Sequence, residues 1–200
     1  MKNIYAIFFV ATTLILGSLS PTVSTIVYAD EGDISTTVDQ ASEVIKNDKW
    51  VAMEQETATM QFKLSSELNP EAASQYLFDK YDGAEMYSVR AGIGQRLQNG
   101  GWNVYYNTAS GKQTARTGYN GMYVAAAGGA TASGILAAFA KASGVGLLAG
   151  VAAGFLAATA GKLASYAVTC RDNIDKHGNT GTARIALTEA RWSSSYDYRW

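Results

Sequence analysis

Few residues in this chain are of the types that usually carry enzyme chemistry. One cysteine, Cys170, and one histidine, His177, occur among 200 residues. A single cysteine excludes an intramolecular disulfide and a redox pair, and together these two residues are too few for a Cys/His zinc cage. No serine or cysteine beside His177 lies in a recognisable nucleophile motif, so we interpret both residues as structural, with a Cys/His hydrolase as the alternative. We therefore expect no enzyme activity.

Three further patterns resemble chemical motifs, but each lacks a required part. Gly92 and Gly94 lack the third glycine and the preceding parallel strand of a dinucleotide-binding loop. The polar stretch 172–180 lacks the central glycine and final glutamate of an EF-hand calcium loop, so a turn is expected there. Carboxylate pairs such as Glu54 with Glu56 are interpreted as solvated helix faces. We therefore assign no metal and no cofactor.

The composition indicates a folded chain that does not bind nucleic acid. Hydrophobic residues make up 48% of the sequence and charged residues 16%. Sixteen basic residues against 17 acidic ones leave a formal net charge of -1, so there is no global positive field to attract a phosphate backbone. Twenty glycines and only 2 prolines indicate that glycine serves turns or close backbone approach.

Residues 1–29 are predicted to be a signal peptide. Lys2 supplies the positive start, an apolar run covers 4–16, and small residues precede a cleavage site expected between Ala29 and Asp30. The apolar run is shorter than the roughly 20 residues that cross a bilayer, so we expect a secreted protein rather than an anchored one. The polar stretch before the cleavage site is typical of Gram-positive signals.

The remaining chain divides by composition into three parts, and an α+β fold is predicted. An acidic head, 30–121, holds 13 acidic and 8 basic residues; a Gly/Ala-rich segment covers 122–170, and a polar, aromatic tail covers 171–200. The tail is expected to leave a turn and form a strand at 182–189. The elements predicted in the head are helices at 37–53, 70–81 and 84–98, strands at 58–64 and 102–106, and a turn at 99–101.

The Gly/Ala-rich segment is predicted to form a helical hairpin. Residues 117–140 and 142–161 carry no charge, and each stretch is long enough to cross about 30 Å of hydrocarbon at about 1.5 Å per residue. The break between the two arms is expected at 143–146.

The second arm carries a strip of small residues that favours close helix packing in lipid. The glycines of this strip are Gly146, Gly150, Gly154 and Gly161. Large apolar residues on the opposite side are expected to face either acyl chains or a protein core; they are Leu147, Leu148, Val151 and Phe155.

The energetics of insertion are marginal. On the insertion scale the two arms gain roughly 2 and 3 kcal/mol from their strongly apolar residues, and glycine and serine reduce both figures. Such a hairpin can cross a secretion channel without stopping and insert later, or it can be the packed core of a soluble protein. Lys141 and Lys162, with Trp192 and Trp200 in the tail, are the expected membrane-interface anchors, although an exposed β-hairpin explains the tail aromatics equally well.

The layout resembles that of the large, heat-labile bacteriocins secreted by streptococci, the dysgalacticin and streptococcin group. The features that carry this resemblance are the signal ending Val27-Tyr28-Ala29, the acidic mixed head, the hairpin around Gly146, Gly150 and Gly154, and the strand at 181–187. The resemblance implies an antimicrobial toxin that acts at the cytoplasmic membrane of related bacteria and dissipates its potential.

Several partners follow from this hypothesis. They are the target membrane, a membrane receptor, further copies of the chain and an immunity protein, and nucleic acid is not among them. The alternative function is an extracellular or cell-surface binding protein that uses the hairpin as a soluble core or as an anchor.

Overall fold

A computed structural model of the chain describes residues 44–89, 91–145, 151, 154, 155 and 157–194. These residues form a mixed α+β fold with one six-stranded antiparallel sheet. The predicted signal peptide and its cleavage site at Ala29 and Asp30 lie outside them. The strands are β1 Val44–Lys46, β2 Glu85–Ser88, β3 Ile93–Gln98, β4 Gly101–Tyr106, β5 Gly181–Ala186 and β6 Ala190–Ser193. The helices are α1 Asp48–Thr57, α2 Met60–Leu68, α3 Pro70–Lys80, α4 Ala109–Ala127, α5 Ala132–Ser143 and α6 Ala160–Lys176.

The sheet has its strands in sequence order, each antiparallel to the next. β4 pairs with β5 in the register Trp102 to Ile185, although residues 107–180 separate the two strands in the chain. Side chains alternate between the two faces of a strand, so Trp102 and Val104 share one face. The Trp102 ring packs against rings of α4 and α5, which identifies that face as the one covered by helices.

The starts of the first three helices follow the capping rules. Asn47, Thr59 and Asn69 each accept a hydrogen bond from a backbone N–H of the first helical turn. Pro70 occupies the first position of α3, where its missing N–H costs nothing. The predicted helix at 70–81 is confirmed, and its start is at the predicted residue.

Two predicted elements of the head are wrong. The segment 58–64 contributes to helix α2 rather than a strand, because Thr59 caps the helix and Phe62 alone among its large residues turns inward while Met60 and Leu64 are exposed. The segment 84–98 forms β2 and β3 rather than a helix. Gly94 allows β3 to pair with β4, because a Cβ there would lie 1.9 Å from the Tyr105 ring on β4.

The other predictions for the head agree with the structure in part. The helix predicted at 37–53 is replaced by β1 and the start of α1, and residues 37–43 lie outside the described part of the chain. The strand at 102–106 is confirmed as β4. Asn99 and Gly100 form the turn before it with φ of 50° and 70°, the left-handed pair that a tight hairpin turn requires.

The predicted helical hairpin differs from the structure in its arms. The first arm is interrupted after α4 by Gly128 and Gly129, and α5 follows it with 12 residues, about 18 Å of helix. The predicted break after α5 is confirmed, since Gly144 ends that helix at φ +67°. The second arm is not one helix, because α6 begins at Ala160 behind the Thr159 cap. Within the described residues, no helix has both the length and the apolar character needed to cross a membrane.

The tail returns to the sheet that the head begins. The strand predicted at 182–189 appears as β5, followed by a short turn and β6. The turn predicted at 172–180 is partly helical, since α6 continues to Lys176. The compositional boundaries after Gly121 and after Cys170 both lie inside helices, and Gln40–Trp200 forms one compact unit.

Candidate functional site

The contact between α4 and α5 depends on the absence of side chains. A Cβ on Gly118 would lie 2.5 Å from the Phe139 ring. A Cβ on Gly121 would lie 2.5 Å from the Ala142 Cβ and 2.8 Å from the Ala138 carbonyl oxygen. Glycine at both positions therefore lets the two helices approach more closely than any other residue would.

Phe139 fixes this hairpin to the sheet. Its side chain is fully buried, and its ring meets Trp102 of β4 edge-on at 4.8 Å and Tyr119 of α4 at 5.2 Å. The α5 residues Ile135 and Leu136 are also fully buried. The large apolar side chains of α5 therefore belong to the protein core.

The turn between α4 and α5 is the exposed end of the hairpin, and we call residues 123–130 the tip. Tyr123 is 42% exposed and Val124 is 59% exposed. Residues 127–129 are exposed as well, and the stretch 117–140 around the tip carries no charge. The tip is thus an apolar surface of small residues with one aromatic ring at its edge.

The structure does not bring the predicted glycine strip together within the described residues. Gly154 faces the Phe78 ring of α3, which lies 3.2 Å from a Cβ placed there. Gly161 lies in the first turn of α6 with no atom within 4 Å of an added Cβ. The remaining residues of the prediction here lie outside the described part of the chain; they are Gly146, Leu147, Leu148 and Gly150.

The sequence allows Val151 and Phe155 to face either acyl chains or a protein core, and in the structure they face the core. Both side chains are fully buried. The Phe155 ring meets Phe78 edge-on at 5.3 Å, which joins the segment before α6 to the head. These residues are therefore part of the protein core.

The predicted interface anchors are scattered. Lys141 is exposed in the last turn of α5, and Lys162 is exposed in the first turn of α6. Trp192 of β6 donates from its Nε1 to the Tyr106 hydroxyl at 3.0 Å, and its ring stacks on His177 at 3.7 Å. Trp200 lies outside the described residues.

Cys170 and His177 have structural surroundings. Cys170 is fully buried, and burial raises the pKa of its thiol to about 12, which leaves no thiolate for chemistry at neutral pH. His177 follows the end of α6, where its Nδ1 lies 2.6 Å from the Asn173 carbonyl oxygen. Cys170 thus packs in the core, and His177 caps the end of α6.

A polar cluster that the sequence did not reveal surrounds Glu56 at the end of α1. The Glu56 carboxylate accepts hydrogen bonds from Tyr76 at 2.7 Å, from Lys80 at 2.8 Å and from Tyr81. Lys80 also donates to the Tyr76 hydroxyl at 2.6 Å. The interpretation of Glu56 as a solvated carboxylate is therefore wrong, and the i, i+4 spacing of Tyr76 and Lys80 was the available signal.

The hydrogen bonds in this cluster keep Glu56 ionised. Desolvation raises the pKa of Glu56, but hydrogen bonds from Lys80, Tyr81 and Tyr76 and the charge of Lys80 outweigh it, so the pKa lies below its ordinary value. The hydrogen bond to Glu56 raises the pKa of Lys80. The two groups form a charged pair in which each stabilises the ionised form of the other.

Glu56 and Tyr76 also line a cleft of about 530 Å³ between α2 and α3. Apolar groups form part of its wall, and the remaining wall is polar, with Glu56 as its charged group. The other lining residues are Thr59, Gln61, Phe62, Ser65, Asn69, Ala72 and Ala73. In the part of the chain that the structure describes, this cleft and the tip are two surfaces whose shape and chemistry suit a partner.

Within the described ranges, no group of three or more His, Cys, Asp or Glu side chains is placed to hold a metal ion.

No protein-family model matches the sequence, and neither the curated proteins nor the solved structures give a significant match. The resemblance to streptococcal bacteriocins therefore stays a prediction, and the function has to be argued from the two surfaces.

Proposed function

We propose that the chain is a secreted, membrane-active protein of the bacteriocin type and that the tip makes its first contact with the target membrane. The observation that carries the proposal is the exposed tip, whose own residues carry no charge and in which Tyr123 and Val124 are 42% and 59% exposed. The Arg171 guanidinium of α6 lies 5.3 Å from the Tyr123 ring centre, and such a cation beside an aromatic ring also suits the membrane interface. Aromatic rings favour the membrane interface, and an uncharged turn enters it without the cost of desolvating a charge.

The energetics favour surface contact before insertion. Ile135, Leu136 and Phe139 are already fully buried in the core. Moving them into lipid exchanges one apolar environment for another, so their burial supplies no net driving force for insertion. The hairpin therefore stays on the sheet until a membrane receptor favours its release, and its insertion into the membrane is the step that dissipates the potential.

The burial of these same residues also favours the second candidate function, an extracellular or cell-surface binding protein. In that case the hairpin is a permanent part of the core, and the cleft beside Glu56 is the binding surface. Fractionation of a producing culture separates the toxin, expected in the culture fluid, from a cell-surface protein, which remains with the producer cells. An extracellular binding protein is also found in the culture fluid, but it does not depolarise sensitive cells.

The membrane proposal is tested with Val124→Asp in the full chain. We expect binding to lipid vesicles to weaken at least about tenfold, because a carboxylate at the tip must be desolvated. Co-sedimentation with vesicles measures binding, and a potential-sensitive dye measures depolarisation of sensitive cells. The thermal midpoint should change little, since Val124 is exposed.

Val89→Asp is the matched control. Val89 is 51% exposed and lies in the turn before β3, next to the first turn of α4, where Gly111 packs against the Gly92 carbonyl. Val124 is about 20 Å further along that helix. Equal loss in both variants would show that the tip is not the contact, and a wild-type chain that neither binds vesicles nor depolarises cells would refute the proposal.

A further inference from the structure

The cleft between α2 and α3 has the size and wall of a small-molecule site. Its volume of about 530 Å³ lies within the range of about 300–1,000 Å³ that ligand pockets occupy. Phe62, Ala72 and Ala73 supply apolar surface, whereas Gln61 and Asn69 supply amides. Such a mixture suits a ligand that is apolar on one side and polar along its edge.

The hydrogen-bonding groups of the cleft are only partly used. The hydroxyls of Thr59 and Ser65 donate to helix carbonyls at 2.7 and 2.9 Å. Asn69 uses its Oδ1 to cap α3 at 3.0 Å, and its Nδ2 has no partner among the described residues. The Gln61 amide likewise has none there. Two amide groups therefore remain available to a ligand.

Glu56 keeps one accepting position. A carboxylate has about four lone-pair sites. Glu56 fills three, one on Oε1 with Tyr76 and two on Oε2 with Lys80 and Tyr81. The remaining site is on Oε1, the oxygen bound to Tyr76, which itself lines the cleft. A donor in the ligand can complete this set without displacing a bond.

The charge of the cleft selects a neutral ligand. Glu56 is the only charged residue that lines it, and Lys80 already pairs with that carboxylate. A cationic ligand at Glu56 would bring a second positive charge close to Lys80, and an anionic one would be repelled by the Glu56 carboxylate. A neutral ligand keeps the pair intact, and hydroxyl groups suit both kinds of partner because each can donate and accept.

We propose that the cleft binds a neutral saccharide, with one sugar ring lying against Tyr76 and the apolar wall and its hydroxyls bonded to Glu56, Gln61 and Asn69. Tyr76 is 44% exposed and carries Lys80 at 5.1 Å from its ring centre, so its ring is held in place while one side remains accessible. Sugar rings have apolar C–H faces and hydroxyl edges that match this wall. The inference is independent of the proposed membrane action.

The probes are neutral monosaccharides and disaccharides, namely glucose, galactose, mannose, N-acetylglucosamine, lactose and chitobiose, at millimolar concentration. Glucosamine and glucuronate serve as the cationic and anionic counterparts. Saturation-transfer NMR with the full chain detects binding, and titration gives the affinity. We expect at least one neutral sugar to bind and its charged counterpart to bind more weakly.

Two variants locate the site. Gln61→Ala removes an amide from an exposed helix position, and Asn69→Asp removes the Nδ2 donors while keeping the oxygen that caps α3. Each should weaken binding about tenfold. Gln75→Ala is the matched control, because Gln75 is exposed on α3 and bonds to Asp79 outside the cleft wall. It should bind the sugar as the wild type does.

Any one of the following three outcomes overturns the inference. Absence of saturation transfer from the folded chain to every neutral sugar excludes a saccharide. Preference for glucosamine or glucuronate excludes a neutral ligand. Undiminished binding in both Gln61→Ala and Asn69→Asp excludes this cleft as the site. Vesicle binding should be unchanged in both variants, so this test and the tip test can fail separately.

Discussion

The pairs α2–α3 and α4–α5 show how side-chain size decides whether neighbouring helices leave space between them. In the α4–α5 pair, Gly118 and Gly121 remove the side chains that would hold the helices apart, and the contact closes. In the α2–α3 pair, larger and polar side chains leave a cleft with Glu56 at its wall. The same chain thus contains one helix pair suited to close packing and one suited to ligand binding.

The largest effect expected from this comparison comes from Gly121→Ala. Its Cβ would meet the Ala138 carbonyl at 2.8 Å and the Ala142 Cβ at 2.5 Å, so the backbone of α5 must move. Overpacking of this kind costs up to about 3 kcal/mol, and alanine returns about 1 kcal/mol of helix propensity. We expect the free energy of unfolding to fall by about 2 kcal/mol in urea denaturation. An unchanged value would show that α4 and α5 are not in close contact.

The next effect concerns the polar cluster around Glu56, which joins α1 to α3 beside the cleft. Glu56→Gln removes the negative charge to which Lys80, Tyr76 and Tyr81 donate hydrogen bonds. We expect the free energy of unfolding to fall by about 1 kcal/mol at neutral pH. The pKa of Glu56 is lowered from 4.5, so its contribution is complete above that value and disappears as pH falls through the folded-state pKa. The pKa of Lys80 is raised from 10.5, so its contribution is complete below that value and disappears as pH rises through the higher folded-state pKa.

Urea denaturation at a series of pH values measures this difference. The wild type and Glu56→Gln should differ most between these two limits and converge in acid. A difference that stays constant down to acidic pH would mean that the ionised carboxylate of Glu56 is not what stabilises the cluster.

The smallest effect is expected from Gly161→Ala. This substitution should raise the free energy of unfolding, whereas Gly121→Ala lowers it. No atom lies within 4 Å of an added Cβ there, so Gly161→Ala gains helix propensity without a clash. We expect the free energy of unfolding to rise by about 0.5 kcal/mol. Destabilisation comparable to that of Gly121→Ala would mean that Gly161 also makes a close contact.

Local signals predicted the elements whose ends they define. Asn69 and Pro70 located the start of α3, and Asn99 with Gly100 located the turn before β4. The sequence pattern wrongly predicts a helix at 84–98, because Gly92 and Gly94 disfavour a helix and the pattern of apolar residues takes no account of that preference. Their purpose appears only across the sheet, where Gly94 accommodates Tyr105.

The glycine contacts and the Glu56 cluster were harder to predict, because they depend on partners that are distant in the sequence. The predicted strip of small residues places close helix packing after residue 145, whereas the described contact between α4 and α5 is at Gly118 and Gly121; Gly154 instead approaches the Phe78 ring, and Gly161 has no neighbour within 4 Å. Glycines lie three residues apart at Gly118 and Gly121 and four residues apart in the predicted strip, and both spacings place them on one helix face, so composition could not choose between the two segments. Glu56 was missed because its partners, Tyr76 and Lys80, lie on another helix.

The pairing of β4 with β5 has a consequence for how the chain reaches its native state. β2, β3 and β4 are joined by short turns, so they can assemble as soon as they emerge from the ribosome or a translocation channel. β5 must wait for all of residues 107–180, and closing so long a loop makes this the slow, high-contact-order step. Until then β4 is an open sheet edge, and a chain arrested before residue 181 presents that edge to other molecules as a nucleus for aggregation.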